Sequence, residues 1–190
     1  MITLAPEISS RYPVQFRVGG NVVSGQFLNF AYGSNMCSQR LQNRCPSASP
    51  VGVGALPGYK LTFHKSSTDG SGKCDIEPTG NPDDCIWGVV FSIEENERTA
   101  LDQAEGLGYG YEAVSLTVQV AGKPITVHAY VAAADARNPS LAPYHWYKNF
   151  VVKGATEHNL PATYVEFLTS VPSIDDPNKA RAAANAAICS

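Results

Sequence analysis

Two groups of residues in this sequence have the types and spacing to do chemistry. The first is Glu105, which stands against Gly106 at the end of a helically spaced segment. The negative end of a helix dipole favours Lys, Arg or His there, so an acid is out of place on structural grounds. A carboxylate kept from water at such an end, here by Tyr109 and Tyr111, suits general acid/base work near neutral pH. The second group is Tyr32-Gly33-Ser34-Asn35, where a strand-like run over 27–31 turns on a glycine. Ser34 and Asn35 are good helix caps, and Cys37, Leu41 and Cys45 then recur at helical spacing. Unpaired N–H groups at the start of that helix, backed by its dipole, would favour an anion or a developing oxyanion. Gly33 would allow a close backbone approach and a positive φ.

Other chemistries fit less well. Ser34 on a strand-turn-helix resembles a nucleophile elbow, but the G-x-S-x-G frame is absent. A cysteine nucleophile needs a paired histidine, and His64, His128, His145 and His158 lie in no diagnostic context. The same histidines lack metal-ligand spacing, so no metal site is expected. Gly70-Ser71-Gly72-Lys73 is too short for a phosphate loop and reads as a turn. The five cysteines (Cys37, Cys45, Cys74, Cys85 and Cys189) are odd in number and contain no C-x-x-C pair. They suggest neither a zinc site nor a disulfide framework, which fits a reducing cytoplasm. Cys74 and Cys85 flank a loop and could meet, although two separate thiols are the expectation.

The elements that must position these residues follow from periodicity. Val14, Phe16 and Val18 alternate, then Gly19-Gly20-Asn21 turns before Val22-Val23, so residues 1–26 read as an arm or an edge hairpin. A short helix after Asn35 is expected to end near Pro46. Residues 51–56 and 59–63 read as strands about Pro57-Gly58, and 64–84 as loop around one short strand at 74–76. The apolar run 85–91 has the length of a buried strand. A helix then begins at either Ser92, which makes a capping box with Glu95, or Asn96, and runs to Glu105. Residues 113–120 and 125–131 form a hairpin that puts Ile125, Val127, Ala129 and Val131 on one face and His128 and Tyr130 on the other. Tyr147, Phe150, Val151 and Ala155 mark a third helix. Leu160, Tyr164, Phe167, Leu168 and Val171 mark a fourth, and Asp176-Pro177 caps an alanine-rich last one.

Strands and helices alternate without a regular βαβ rhythm, so the expected class is α+β, a mixed, strongly curved β-barrel with flanking helices. The 190 residues suffice for one domain, placed at 27–190 with the arm before it. Net charge is −3 and only 16 % of residues are charged, with no basic stripe, which argues against nucleic acid as a partner. No apolar run approaches the roughly 18 residues of a membrane span.

The stretches Phe30-Ala31-Tyr32-Gly33-Ser34-Asn35-Met36, Trp87-Gly88-Val89-Val90-Phe91 and Leu101-Asp102-Gln103-Ala104-Glu105-Gly106 resemble the γ-glutamylcyclotransferase family. His128-Ala129-Tyr130, Tyr147-Lys148, Gly154-Ala155 and Leu160-Pro161 follow in that family's order, so the resemblance covers roughly residues 27 to 170. It implies release of 5-oxoproline from a γ-glutamyl compound by attack of the substrate's own α-amine on its γ-carbonyl. It also implies that Tyr32, Gly33, Ser34 and Asn35 form the substrate-binding turn, that Glu105 is the acid/base, and that Tyr130 and Tyr147 line the pocket. Neither a nucleophile, a metal nor a cofactor is then required. The partner is a small γ-glutamyl molecule, and a homodimer stays open. The arm, residues 107–111 and the tail match no pattern of that family, so the leaving group is not fixed. The alternatives are a cyclotransferase for γ-glutamylamines or a tailored metabolite, a hydrolase or transferase using Ser34 or a cysteine, and a binding module that keeps the pocket without turnover.

Overall fold

The computed structural model describes residues 16–18, 21–23 and 25–188. Two short strands, β1 (Phe16–Val18) and β2 (Asn21–Val23), pair antiparallel as the alternation predicts. Val14, the Gly19-Gly20 pair and Cys189 lie outside the described residues.

Five strands close the barrel that the mixed pattern predicts: β3 (Gln26–Ala31), β4 (Ser49–Pro57), β7 (Cys85–Glu94), β8 (Tyr111–Val120) and β9 (Lys123–Ala132). Their order is β3-β7-β4-β8-β9, and the parallel contact Asn29↔His128 closes the ring. β7 has neighbours on both sides, which explains its unbroken apolar run, with Ile86, Val89, Val90, Phe91 and Ile93 all buried. β5 (Tyr59–Ser66) and β6 (Gly72–Pro78) form a separate hairpin. The 64–84 region is therefore more ordered than its Ser, Gly and Asp content suggests. Buried Asp75 of β6 accepts from His64 Nε2 (2.7 Å) and Ala132 N–H (2.8 Å) and pairs with Arg137, tying the hairpin to β9.

Three helical expectations need correction. The helix after Asn35 is a 3₁₀ turn (Ser34–Met36) followed by the five-residue α1 (Ser38–Gln42), which ends before Pro46 is reached. Neither Ser92 nor Asn96 caps the next helix. Ser92 pairs with Leu28 and Ser49 inside β7, a 3₁₀ turn (Glu95–Glu97) intervenes, and α2 covers Arg98–Glu105. Ladder bonds on both sides outweigh one local cap. Third, the last helix, α5 (Lys179–Ile188), is capped by Asn178, whose Oδ1 accepts from Arg181 N–H. Asp176 instead takes Trp146 Nε1 (2.8 Å) and the Arg181 guanidinium, clipping α5 to α3 (His145–Glu157). Hydrogen bonds from these groups hold the Asp176 carboxyl well below the usual carboxylate range. α4 (Ala162–Ser170) buries Tyr164 and Leu168, while Phe167 is exposed.

α3 braces the 3₁₀ turn. It buries Tyr147, Phe150, Val151 and Ala155, and Gly154 sits against the backbone of Met36 and Cys37. A Cβ at Gly154 would lie 2.3 Å from Met36 C and 2.4 Å from Cys37 N. Alanine usually gains about 1 kcal/mol over glycine inside a helix. Overpacking against backbone costs about 1–3 kcal/mol or more and outweighs that gain. Gly154→Ala is therefore expected to lower the urea midpoint, and a midpoint at or above wild type would show that the turn yields freely.

Candidate active site

Phe30, at the end of β3, turns its ring over two glycines of neighbouring strands. Cβ atoms at Gly88 and Gly54 would lie 2.7 Å and 3.1 Å from it. The bare backbone of β7 and β4 thus makes room for an aromatic floor. Above that floor opens a cleft lined by Ala31, Cys74 and Tyr111 together with the sequence-derived candidates. All seven candidates (Tyr32, Gly33, Ser34, Asn35, Glu105, Tyr130 and Tyr147) border it. Residues 98 positions apart meet there, since the Tyr32 hydroxyl donates to the Tyr130 carbonyl.

Gly33 has φ −122° and ψ −142°, so the positive φ expected for it is absent. Space is the constraint: a Cβ would lie 3.0 Å from Cys74 Cβ and 3.3 Å from the Tyr147 hydroxyl. Met36 N–H makes the first bond of the turn, to Gly33 O at 3.0 Å, so the Ser34 and Asn35 N–H groups precede it. A three-residue turn and a five-residue helix carry little macrodipole, so the anion-favouring field predicted from a longer helix needs another source. Two arginines stand beside the turn. Arg40 Nε donates to Ser34 Oγ at 3.2 Å, and its guanidinium lies 4.4 Å from the centre of the Phe150 ring. Arg44 Nη1 reaches Glu105 Oε1 at 2.6 Å and Asn35 Oδ1 at 3.0 Å.

Glu105 ends α2 as its spacing predicts, and Gly106 follows at φ 70°, the left-handed cap that only glycine takes without strain. Leu107 N–H and Gly106 N–H return to Asp102 O and Gln103 O, fixing the last turn. The Glu105 side chain is 17 % exposed and accepts a second bond on Oε1, from Asn35 Nδ2 at 2.7 Å. Asn35 therefore stands in the cleft, with its amide spanning Arg44 and Glu105. Tyr109 does not shield the carboxylate. It is 93 % exposed on the turn after Gly106, because the glycines at 108 and 110 swing that turn outward at positive φ. Tyr111 does border the cleft beside Glu105.

The aromatic walls are neutral and fixed. Burial pushes the Tyr32, Tyr111 and Tyr147 phenols well above the ordinary value, and burial with the Asp102 hydrogen bond does the same for Tyr130. Their hydroxyls are engaged: Tyr111 donates to Cys74 O (2.6 Å), Tyr130 to Asp102 Oδ1 (2.7 Å), and Tyr147 accepts from Cys74 N–H (3.0 Å). The rings are thus held as rigid surfaces.

Among the described residues, no histidine is hydrogen-bonded to Ser34 Oγ or to Cys37, Cys45, Cys74 or Cys85. The partner of Ser34 Oγ is an arginine, which has no lone pair to take a proton. His64 bonds Asp75, His145 bonds Ser173 and His158 bonds Ser38, while His128 packs on Phe27 and Tyr130. Cys37, Cys45, Cys74 and Cys85 are free thiols, so Cys74 and Cys85 do not pair. Burial pushes the Cys74 thiol up to about 12.

Sequence reasoning missed Arg40, Arg44, Asp102 and Cys74. Asp102 lies three residues before Glu105, a helical spacing that was available as a signal. Arg44 is 61 residues from Glu105 and carries none.

A model of the AIG2-like family matches residues 85–168. The γ-glutamylcyclotransferase of Homo sapiens is 34 % identical over 163 residues, covering 80 % of this chain and 82 % of that protein. The γ-glutamylcyclotransferase of Bos taurus is 34 % identical over 160 residues, with the same coverage of each. A solved structure of a γ-glutamyl cyclotransferase superposes with a TM-score of 0.73 at 32 % identity, covering 80 % of this chain and 92 % of that one. A five-stranded barrel with a tyrosine-walled cleft and one carboxylate at its edge defines the class of small-molecule site. The chain belongs to the γ-glutamylcyclotransferase family.

With the Cys74 thiol at about 12, only about one molecule in 10⁴ carries a thiolate there at pH 8. Iodoacetamide at pH 8 should leave Cys74 of the folded chain unmodified, as read by peptide mass. Rapid stoichiometric labelling of Cys74 would contradict this.

Proposed function

We propose that this chain is a γ-glutamylcyclotransferase that releases 5-oxoproline from a γ-glutamyl amino acid, peptide or amine. The observation that carries the reading is the placement of one carboxylate, Glu105, at the edge of a cleft that also holds the Tyr32–Asn35 turn. In this reading residues 27–190 are the catalytic unit, with residues 1–26 as an added arm. The free thiols suit a reducing cytoplasm.

The reaction needs a curled substrate. The neutral α-amine attacks the γ-carbonyl carbon, forming a C–N bond as the carbonyl π pair moves to oxygen. Glu105 takes one amine proton. Collapse of the tetrahedral intermediate re-forms the C=O and breaks the amide C–N bond, and Glu105 returns the proton to the leaving nitrogen. Atoms balance without water or cofactor. Ring closure makes the nucleophile intramolecular, where effective molarities of about 10⁵ M and above are attainable. Tyr32, Tyr130 and Tyr147 supply walls that favour the curled form, because their rings are pinned by their own hydroxyl bonds. The turn at Gly33 to Asn35 receives the amino-acid end or the oxyanion through its N–H groups.

Glu105→Gln keeps the shape and removes proton transfer, so kcat should fall by about 10²–10⁴-fold with little change in stability. An N-acetylated γ-glutamyl substrate should be inert, and a chelator should leave the rate on the free-amine substrate unchanged. Liquid chromatography of the product decides: free glutamate in place of 5-oxoproline, or a Glu105→Gln protein at wild-type rate, would sink the reading.

A further inference from the structure

Two basic residues four positions apart, Arg40 and Arg44, touch the polar groups of the cleft without bordering it themselves. Their contacts are asymmetric. Arg44 Nη1 and Asn35 Nδ2 both donate to Oε1 of Glu105, at 2.6 Å and 2.7 Å, and neither reaches Oε2. Arg44 also donates to Asn35 Oδ1 at 3.0 Å, which closes a triangle of three side chains and fixes the amide so that its NH₂ faces the carboxylate. An oxygen that already accepts two hydrogen bonds, one of them charge-assisted, is the poorer proton acceptor of a carboxylate pair. Arg40 Nε occupies a lone pair of Ser34 Oγ at 3.2 Å. A hydroxyl has one proton and two lone pairs, so accepting from Arg40 leaves the Ser34 proton free to donate elsewhere. Among the described residues Arg40 forms no ion pair. It is fixed by Ser34, by Asn185 Oδ1 of α5 at 3.4 Å and by the Phe150 ring.

We propose that Arg40 and Arg44 are positioning residues that decide which atoms face the substrate: Arg44 leaves Oε2 of Glu105 as the proton-transferring oxygen, and Arg40 leaves the Ser34 hydroxyl as a hydrogen-bond donor. The two act on different steps. Arg44, with Asn35, holds the base in one rotamer, which matters when the amine proton moves. Arg40 holds a donor for an oxygen of the bound substrate, which matters for binding. The proposal rests on Glu105 being the acid/base group of the cyclisation.

The test measures kcat and KM for 5-oxoproline release from γ-glutamyl-alanine, using the full chain and the variants Arg44→Gln, Arg44→Lys, Arg40→Gln and Glu105→Gln. Arg44→Gln should lose about 10²-fold in kcat, the cost of misplacing a reacting group by an ångström, with KM nearly unchanged. Arg44→Lys keeps a charged donor and should recover part of that loss, which a merely structural arginine would not predict. Arg40→Gln should raise KM by about three- to tenfold, the worth of one hydrogen bond, with kcat nearly unchanged. If Arg44→Gln does not fold, Asn35→Ala decides, since it removes the other Oε1 donor and leaves the ion pair. Its kcat should fall. Wild-type kcat in Arg44→Gln or in Asn35→Ala, or a loss confined to kcat in Arg40→Gln, overturns the proposal. Activity retained by Glu105→Gln instead removes the acid/base reading beneath it, so the two failures are told apart.

Discussion

The ion pair between Arg44 and Glu105 joins the stretch after α1 to the end of α2 across 61 residues, with Asn35 as the third corner. Both side chains keep some exposure, 22 % for Arg44 and 17 % for Glu105, so water screens the pair and its share of folding stability is small. Its importance is positional. A glutamate at a helix end has three side-chain torsions, and on an open surface it would sample many rotamers. Two donors on one oxygen reduce those to one, and the site then has an acceptor in a set place.

The rest of the cleft is arranged around that fixed point by close packing. Glycines 54 and 88 leave space for the Phe30 ring, and Gly33 leaves space for Cys74 and Tyr147. Four tyrosines then supply rigid surfaces whose hydroxyls are already bonded to the protein. Rigid walls suit a reaction in which the substrate must be folded on itself, because each rotor of the protein that stays ordered is one less to freeze on binding. The buried Asp75 cluster holds the β5–β6 hairpin, and with it Cys74, against β9.

Much of the barrel was legible before any coordinates. The Ala121-Gly122 turn between β8 and β9, the buried length of β7 and the apolar face of α3 all follow periodicity, because they depend on neighbours two to four residues away. The misreadings lie where a distant partner overruled a local signal. Ser92 has the sequence of a helix cap but lies between two strands that take its backbone. Residues 72–78 look like loop around one short strand at 74–76 but pair with β5 along the whole of β6, through six residue pairs. Tyr109 looks like a shield but is carried outward by glycines on both sides.

By itself the sequence determined that Glu105 ends a helix against a left-handed glycine and that a Tyr-Gly-Ser-Asn turn follows a strand. Both are decided within one helical turn of chain by backbone sterics and capping. Only the tertiary structure decided that these two places share one cleft, that Arg44 and Asn35 hold one oxygen of the carboxylate, and that Arg40 rather than a helix dipole faces Ser34. An ion pair leaves no periodic trace when its members are 61 residues apart. Its partners are chosen by barrel closure and by helix packing, which depend on residues far apart in the chain and not on those next to either one.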